Sequence, residues 1–144
     1  MARNSKPILL VDDDDVDMMI VKRSLKALQV PNQMVYMPDG QAALEYLTDD
    51  SNEKPGILFL DLNMPRMNGW ELLDNMMADD GLKEIPVVIL TTSDNPDDIE
   101  KAGQLKPPVV AYIVKPADYK KTIEVLGKQL VELDIIESVN VAVS

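Results

Sequence analysis

One stretch limits what this chain can fold into: Ile57-Leu58-Phe59-Leu60-Asp61, followed by Leu62-Asn63-Met64-Pro65-Arg66-Met67-Asn68-Gly69. Four apolar residues run unbroken into a single carboxylate, and a turn bearing Pro65 and Gly69 follows. Such a run reads as a strand buried on both faces, as in parallel sheets flanked by helices. Asp61 then falls at the carboxyl end of the strand, where open α/β sheets place their sites. The plainer reading is an Asp that starts a turn. This stretch alone does not separate the two.

The same arrangement recurs along the chain. Ile8–Val11 is a short apolar run ending in Asp12-Asp13-Asp14-Asp15, a buried strand followed by an acidic loop. Val16, Met19, Ile20, Ala27 and Leu28 then recur at helical spacing. Asp14 or Asp15 suits the N-cap of that helix. Capping explains one or two of the four acids and leaves the pair Asp12-Asp13, directly abutting the strand, unexplained. Met34–Met37 is a weaker strand, Pro38-Asp39-Gly40 a turn, and Gln41–Leu47 a short helix with Leu44 and Leu47 inward. Residues 48–56 form a polar surface loop. After the third strand, Gly69–Ala78 reads as a helix whose Leu72, Leu73, Met76 and Met77 belong to the core.

Pro86–Leu90 is a fourth strand running into Thr91-Thr92-Ser93, and Asp97–Leu105 a short helix. Lys106-Pro107-Pro108 breaks that helix, because Pro ends helices and disfavours one just before it. Val109–Val114 is a fifth strand, entering Lys115-Pro116, and Asp118–Val131 a last helix with Ile123, Leu126 and Leu130 inward. Residues 132–144 show no period and stay unassigned. Five strands alternating with helices predict an α/β fold with a parallel sheet. No repeat or linker divides the chain, so residues 1–144 form a single domain with a core over about 6–131.

Composition narrows the chemistry. There is no Cys and no His, which removes disulfides, thiolate metal sites, Ser-His nucleophiles and phosphate carried on a His of the chain's own. The formal net charge of −11 argues against nucleic acid, whose binding needs Lys and Arg against phosphates. With 46% hydrophobic residues but only 4% aromatic ones, the core must be aliphatic and rich in Met. No apolar run approaches the roughly 18 residues of a membrane span. The basic start Met1–Lys6 is followed by too short an apolar run for a signal peptide. A soluble cytoplasmic protein is the expectation, with chemistry left to carboxylates, hydroxyls, Lys and hard cations.

In a parallel sheet the carboxyl ends of the strands share one edge. Strand one brings Asp12 and Asp13 there, strand three Asp61, strand four Thr91 and strand five Lys115. Three carboxylates in one pocket suit a hard divalent cation, most naturally Mg²⁺. A carboxylate beside such a cation can attack a phosphoryl group, while a Lys and a hydroxyl meet the phosphate oxygens. Taken singly, Lys115 reads as a surface residue before a Pro, and Thr91 as a strand-end hydroxyl. Their weight lies in their coincidence.

These residues together resemble the receiver domain of two-component response regulators. The motifs are Leu-Leu-Val-Asp12-Asp13, Leu-Asp61-Leu-Asn63-Met-Pro65-x-Met-x-Gly69, Val-Ile-Leu-Thr91-Thr92-Ser93 and Tyr112-Ile-Val-Lys115-Pro116, spread over about residues 6–131. The resemblance implies a doubly wound, flavodoxin-like, five-stranded sheet of order 2-1-3-4-5. It implies that Asp61 is the phosphoacceptor, Asp13 a direct ligand of Mg²⁺, Asp12 the acid holding metal-bound water, and Asn63 a ligand through its backbone carbonyl. It also implies that Thr91 and Lys115 contact phosphate and that Tyr112 changes rotamer with phosphorylation. The donor would be a bacterial histidine kinase or a histidine phosphotransfer protein.

The wording of the Leu-Thr-Thr-Ser-Asp stretch and of the Asn63–Gly69 turn is similar to stand-alone receivers, including those paired with bacterial phytochromes. By that resemblance the chain is a monomer or a weak phosphorylation-dependent dimer. It would signal by protein–protein contact and catalyse only its own phosphorylation and dephosphorylation. Two departures stand out. Pro107-Pro108 replaces a frequent Gly-Ala turn, which predicts an unusual shape for the fourth helix and the loop after it. Thr92 is larger than the Ala or Gly common there, which predicts tighter access to the phosphoryl group.

Two other readings compete. Leu-Leu-Val-Asp12-x-Asp14-x-Val16 also matches the nucleophile motif of haloacid-dehalogenase-type phosphatases, with Thr91 or Thr92 and Lys115 as later motifs. That family needs a further acidic pair near the Lys, and Asp61 with its turn would go unexplained. The third reading is a receiver-like binding module that takes no phosphate.

Overall fold

The structure, a computed structural model, describes residues 5–105 and 108–139. The elements are β1 (Ile8–Val11), α1 (Asp15–Ala27), β2 (Met34–Met37), α2 (Gly40–Thr48), β3 (Ile57–Leu60) and α3 (Gly69–Met77), followed by β4 (Val87–Thr91), α4 (Pro96–Gly103), β5 (Val109–Val114) and α5 (Tyr119–Glu132). All five strands pair in parallel, in the order β2-β1-β3-β4-β5. The doubly wound sheet expected from the motifs is the one present. Its strand order reverses beside β1, which opens a crevice at the carboxyl ends of β1 and β3.

Alternation along the central strands divides the core into two layers. Leu9, Val11, Leu58, Leu60, Val87 and Ile89 face one side and pack with Ala43 and Leu47 of α2 and Leu72, Leu73 and Met76 of α3. Ile8, Leu10, Ile57, Phe59, Val88 and Leu90 face the other, with Val21 and Leu25 of α1 and Leu126 and Leu130 of α5. The unbroken apolar runs are required because β1, β3 and β4 are covered on both faces. The outer strands β2 and β5 are only partly covered.

Side chains start the helices. Asp14 caps α1 by accepting from the amides of Val16 and Asp17, at 2.8 and 3.3 Å. Asn68 and Glu71 form a reciprocal capping box at α3, and Asn95 and Asp118 cap α4 and α5. α1 gives way where Gln29 adopts a left-handed φ of 57°, and α5 where Asp134 adopts 58°.

Three expectations need correction. On α1, Val16 and Met19 are 67% and 53% exposed, and the inward stripe is Val21, Ser24, Leu25 and Leu28. The apolar pattern misled because two polar residues, Asp17 and Ser24, share that stripe. Met19 lies two residues past Asp17, about 200° round the helix. On α3, Met77 is 38% exposed while Leu72, Leu73 and Met76 are buried, since Met77 turns past the edge of the same face.

The third concerns the chain after α5. Ile135 and Ile136 are buried in the α1–α5 layer, so the core extends past residue 131. The amides of both donate to the Leu130 carbonyl, at 2.8 and 3.3 Å, which folds the segment back beneath the helix end. Two adjacent apolar residues carry no helical or strand period, so the pattern could not place them. Lys106 and Pro107, where a helix-breaking turn is predicted, lie outside the described residues, as do residues 140–144 of the tail. Pro108 is buried, and its carbonyl accepts from Val87 at 3.0 Å.

Candidate functional site

Strand register assembles the site. Val11 pairs with Leu60, so the next residues, Asp12 and Asp61, emerge side by side at the switch point. The amide of Asp61 donates to the Val11 carbonyl at 2.9 Å and that of Asp12 to Met37 at 3.2 Å, so both leave the sheet with their backbones held. Thr91 pairs with Val114, and the Lys115 amide donates to the Thr91 carbonyl at 2.7 Å. The ends of β1, β3, β4 and β5 therefore deliver their polar residues to one rim.

One oxygen from each of Asp12, Asp13 and Asp61 lies within 4.8 Å of the others. Asp12 is 1% exposed and Asp61 7%, whereas Asp13 is exposed on the β1–α1 loop. Three carboxylates at this spacing fit a hard divalent cation. Both oxygens of Asp12 are engaged: Oδ1 accepts from the Asp14 amide at 2.9 Å, Oδ2 from Lys115 Nζ at 2.8 Å. Burial pushes the Asp12 carboxyl above the ordinary Asp range, against the opposing pull of Lys115 and the Asp14 amide.

Lys115 is the counter-charge. Its Nζ lies 2.8 Å from Asp12, 2.6 Å from Asp17 and 3.7 Å from Asp61. Burial works against its charge, but the bonds to Asp12 and Asp17 outweigh it and hold the ammonium above the ordinary lysine range. Both shifts belong to one ion cluster, in which Lys115 Nζ faces the carboxyl groups of Asp12, Asp17 and Asp61.

The turn after Asp61 is stiffened from both sides. A Cβ on Gly69 would sit 2.6 Å from the Asp61 carbonyl oxygen and 2.9 Å from Leu62 Cα, so only glycine allows that approach. Gly40 donates to the Met67 carbonyl at 2.9 Å, and Arg66 reaches Asp39 at 3.5 Å, which docks the turn onto the start of α2. Arg66 holds a left-handed φ of 67° within it. Asn63 is exposed, two residues beyond Asp61.

On the far side a chain of hydrogen bonds begins at Thr91, which is fully buried. Its Oγ1 accepts from the Ser93 amide at 3.3 Å. The Ser93 hydroxyl donates to Asp98 at 2.7 Å, and its carbonyl accepts from Tyr112 Oη at 2.8 Å. Thr91, α4 and β5 are thereby linked through one residue. Thr92 is exposed beside them.

Asp12, Asp13, Asp61 and Lys115 are thus brought together as the motifs require, with Thr91 on the adjoining strand and Tyr112 tied to the loop after it. The sequence pattern did not single out Asp17 or Ser93. A signal for Asp17 existed: with Asp14 as cap, position 17 falls at the third helical residue, where side chains lean back toward the rim. Ser93 stands in the fourth-strand motif, but its role depends on which strand lies beside β4.

Comparison with known proteins gives a single answer. The response regulator receiver domain matches residues 8–127. Response regulator Rcp1 of Synechocystis sp. is 35% identical over 119 residues, covering 80% of each chain. The crystal structure of the Mn²⁺-bound form of Rcp1 superposes with a TM-score of 0.80 at 31% identity, covering 96% of this chain and 99% of that one. The phosphorylated cyanobacterial phytochrome response regulator RcpA gives 0.81 at 34% identity, covering 94% and 97%.

Proposed function

The chain belongs to the response regulator receiver domain family, and on that premise we propose that Asp61 accepts a phosphoryl group from a phosphohistidine. One observation carries the choice of Asp61 over Asp12. Both oxygens of Asp12 are committed to close bonds, whereas Asp61 meets Lys115 only at 3.7 Å. A carboxylate oxygen of Asp61 attacks phosphorus, the bond to the donor imidazole nitrogen breaks, and that nitrogen keeps the electron pair. Lys115 neutralises a phosphoryl oxygen, and the Thr91 hydroxyl is the neighbouring donor for another.

Asp12, Asp13, Asp61 and the Asn63 carbonyl are the groups that would hold Mg²⁺. When bound, Mg²⁺ supplies charge neutralisation for the attacking carboxylate and the incoming phosphoryl group. The donor is a histidine kinase or a histidine phosphotransfer protein, and the chain's only catalysis is of its own phosphorylation and dephosphorylation. The Thr91–Ser93–Tyr112 linkage supports a switch in which movement of Thr91 repositions Tyr112 and the α4–β5–α5 face, which a downstream protein reads. The formal charge of −11 supports a protein partner over nucleic acid.

Intact-mass measurement after acetyl phosphate and Mg²⁺ tests this reading. Wild type should gain one phosphoryl group, and Asp61→Asn none. A label that persists in Asp61→Asn and vanishes in Asp12→Asn would establish the dehalogenase-type chemistry instead. Wild type that never takes a label, from acetyl phosphate or from phosphorylated kinases, would leave a binding module.

A further inference from the structure

The ammonium of Lys115 has a shorter contact with Asp17 than with either strand carboxylate: 2.6 Å, against 2.8 Å for Asp12 and 3.7 Å for Asp61. The Asp61 separation lies beyond hydrogen-bond range. Asp17 comes from the first turn of α1 and not from a strand end, so its carboxylate pulls Lys115 to the side of the rim away from Asp61.

The two short bonds differ in how readily they break. Asp12 is sealed in the sheet, and an ammonium that left it would strand a buried charge. The Asp17 side chain is 27% exposed, so water can replace the lysine there. Asp17 also sits near the positive end of α1, which stabilises a carboxylate without a cation. A cavity of about 30 Å³ bordered by Ile20, Val21, Leu90 and Pro116 adjoins the pair, so the lysine stem is not closely packed on that side.

We propose that Asp17 is a positioning residue that holds Lys115 off Asp61 until an anionic group on Asp61 draws it across. This inference rests on the reading of Asp61 as acceptor. The ion pair with Asp17 then opposes phosphoryl binding in the resting site. Its release turns Asp17 into a solvated carboxylate on the face of α1 whenever Asp61 is occupied.

Beryllium trifluoride, a phosphoryl mimic, tests this at saturating Mg²⁺ in the full chain. Asp17→Asn should bind the mimic about two- to fivefold more tightly than wild type, the upper range of a part-exposed ion pair. Asp17→Glu should return toward wild type, and Asp15→Asn, an equal charge change on the same helix turn, should shift affinity less than about 1.5-fold. In lysine-labelled nitrogen spectra without the mimic, the Lys115 ammonium signal should be sharp in wild type and broadened in Asp17→Asn. Equal affinities for wild type and Asp17→Asn, or an ammonium signal unchanged by the substitution, overturn the proposal alone. Wild type that binds no mimic, or Asp61→Asn that still binds it, overturns the reading of Asp61 and the proposed release with it.

Discussion

Phe59 and Asp61 stand two residues apart on one chain segment and both are buried, yet they are enclosed by different matter. Phe59 shares its layer with aliphatic side chains from β1, β4, α1 and α5, where any apolar group of suitable volume and shape would serve. Asp61 is enclosed by charge, with Asp12 and Asp13 within 4.8 Å and Lys115 at 3.7 Å. Truncating a side chain in the strand bodies leaves a cavity, whereas neutralising the exposed Asp13 on the rim relieves repulsion. The bodies of the strands hold the fold together, and that surplus lets the rim keep buried carboxylates that water would solvate better.

The contrast can be broken at either end. Phe59→Ala should lower the unfolding free energy by about 3–5 kcal/mol, read from urea unfolding. A loss below about 1 kcal/mol would mean that the strand bodies do not carry the stability assigned to them. The rim should respond to metal instead of volume. Mg²⁺ at a hundred times its dissociation constant should stabilise wild type by about 2.7 kcal/mol, seen as a rise in melting temperature over EDTA. Asp61→Asn should show little of that rise, and an equal rise in both proteins would place the ion elsewhere.

Asp13→Asn sharpens the contrast with the smallest effect. Without metal it should stabilise the protein by under about 1 kcal/mol, because Asp13 is exposed and its repulsion from Asp12 and Asp61 is screened. Urea unfolding in EDTA checks this. A destabilised variant would show that the loop needs this charge for its own structure.

The strand bodies were legible in the sequence to the residue at β1, β2, β3 and β5: at β1 and β3 burial on two faces forces apolar runs, and at the partly covered β2 and β5 flanking prolines mark where the shorter signal starts and stops. The rim was legible for a different reason: the runs of β1, β3, β4 and β5 each lead into a carboxylate, a hydroxyl or a lysine. What escaped notice depends on tertiary neighbours. Asp17 is polar yet turned inward, since its partner follows β5, 98 positions away in the chain. Met19 and Met77 look like core residues until the phase of their helices is fixed by packing. Ile135 and Ile136 lie outside any period, and only the Leu130 carbonyl and the α1–α5 layer give them a place.

Those two isoleucines also give the faces of the sheet different folding schedules. The layer over α2 and α3 is complete among its buried members once Val109 is in place. The layer over α1 and α5 joins Ile8 of the first strand to Ile136, so it closes across almost the whole described chain. Contacts of such long sequence separation must offset the greatest loop-closure entropy and form slowly. The α1–α5 face is therefore expected to be the late one, nearly unstructured in the folding transition state and first to open when the protein begins to unfold.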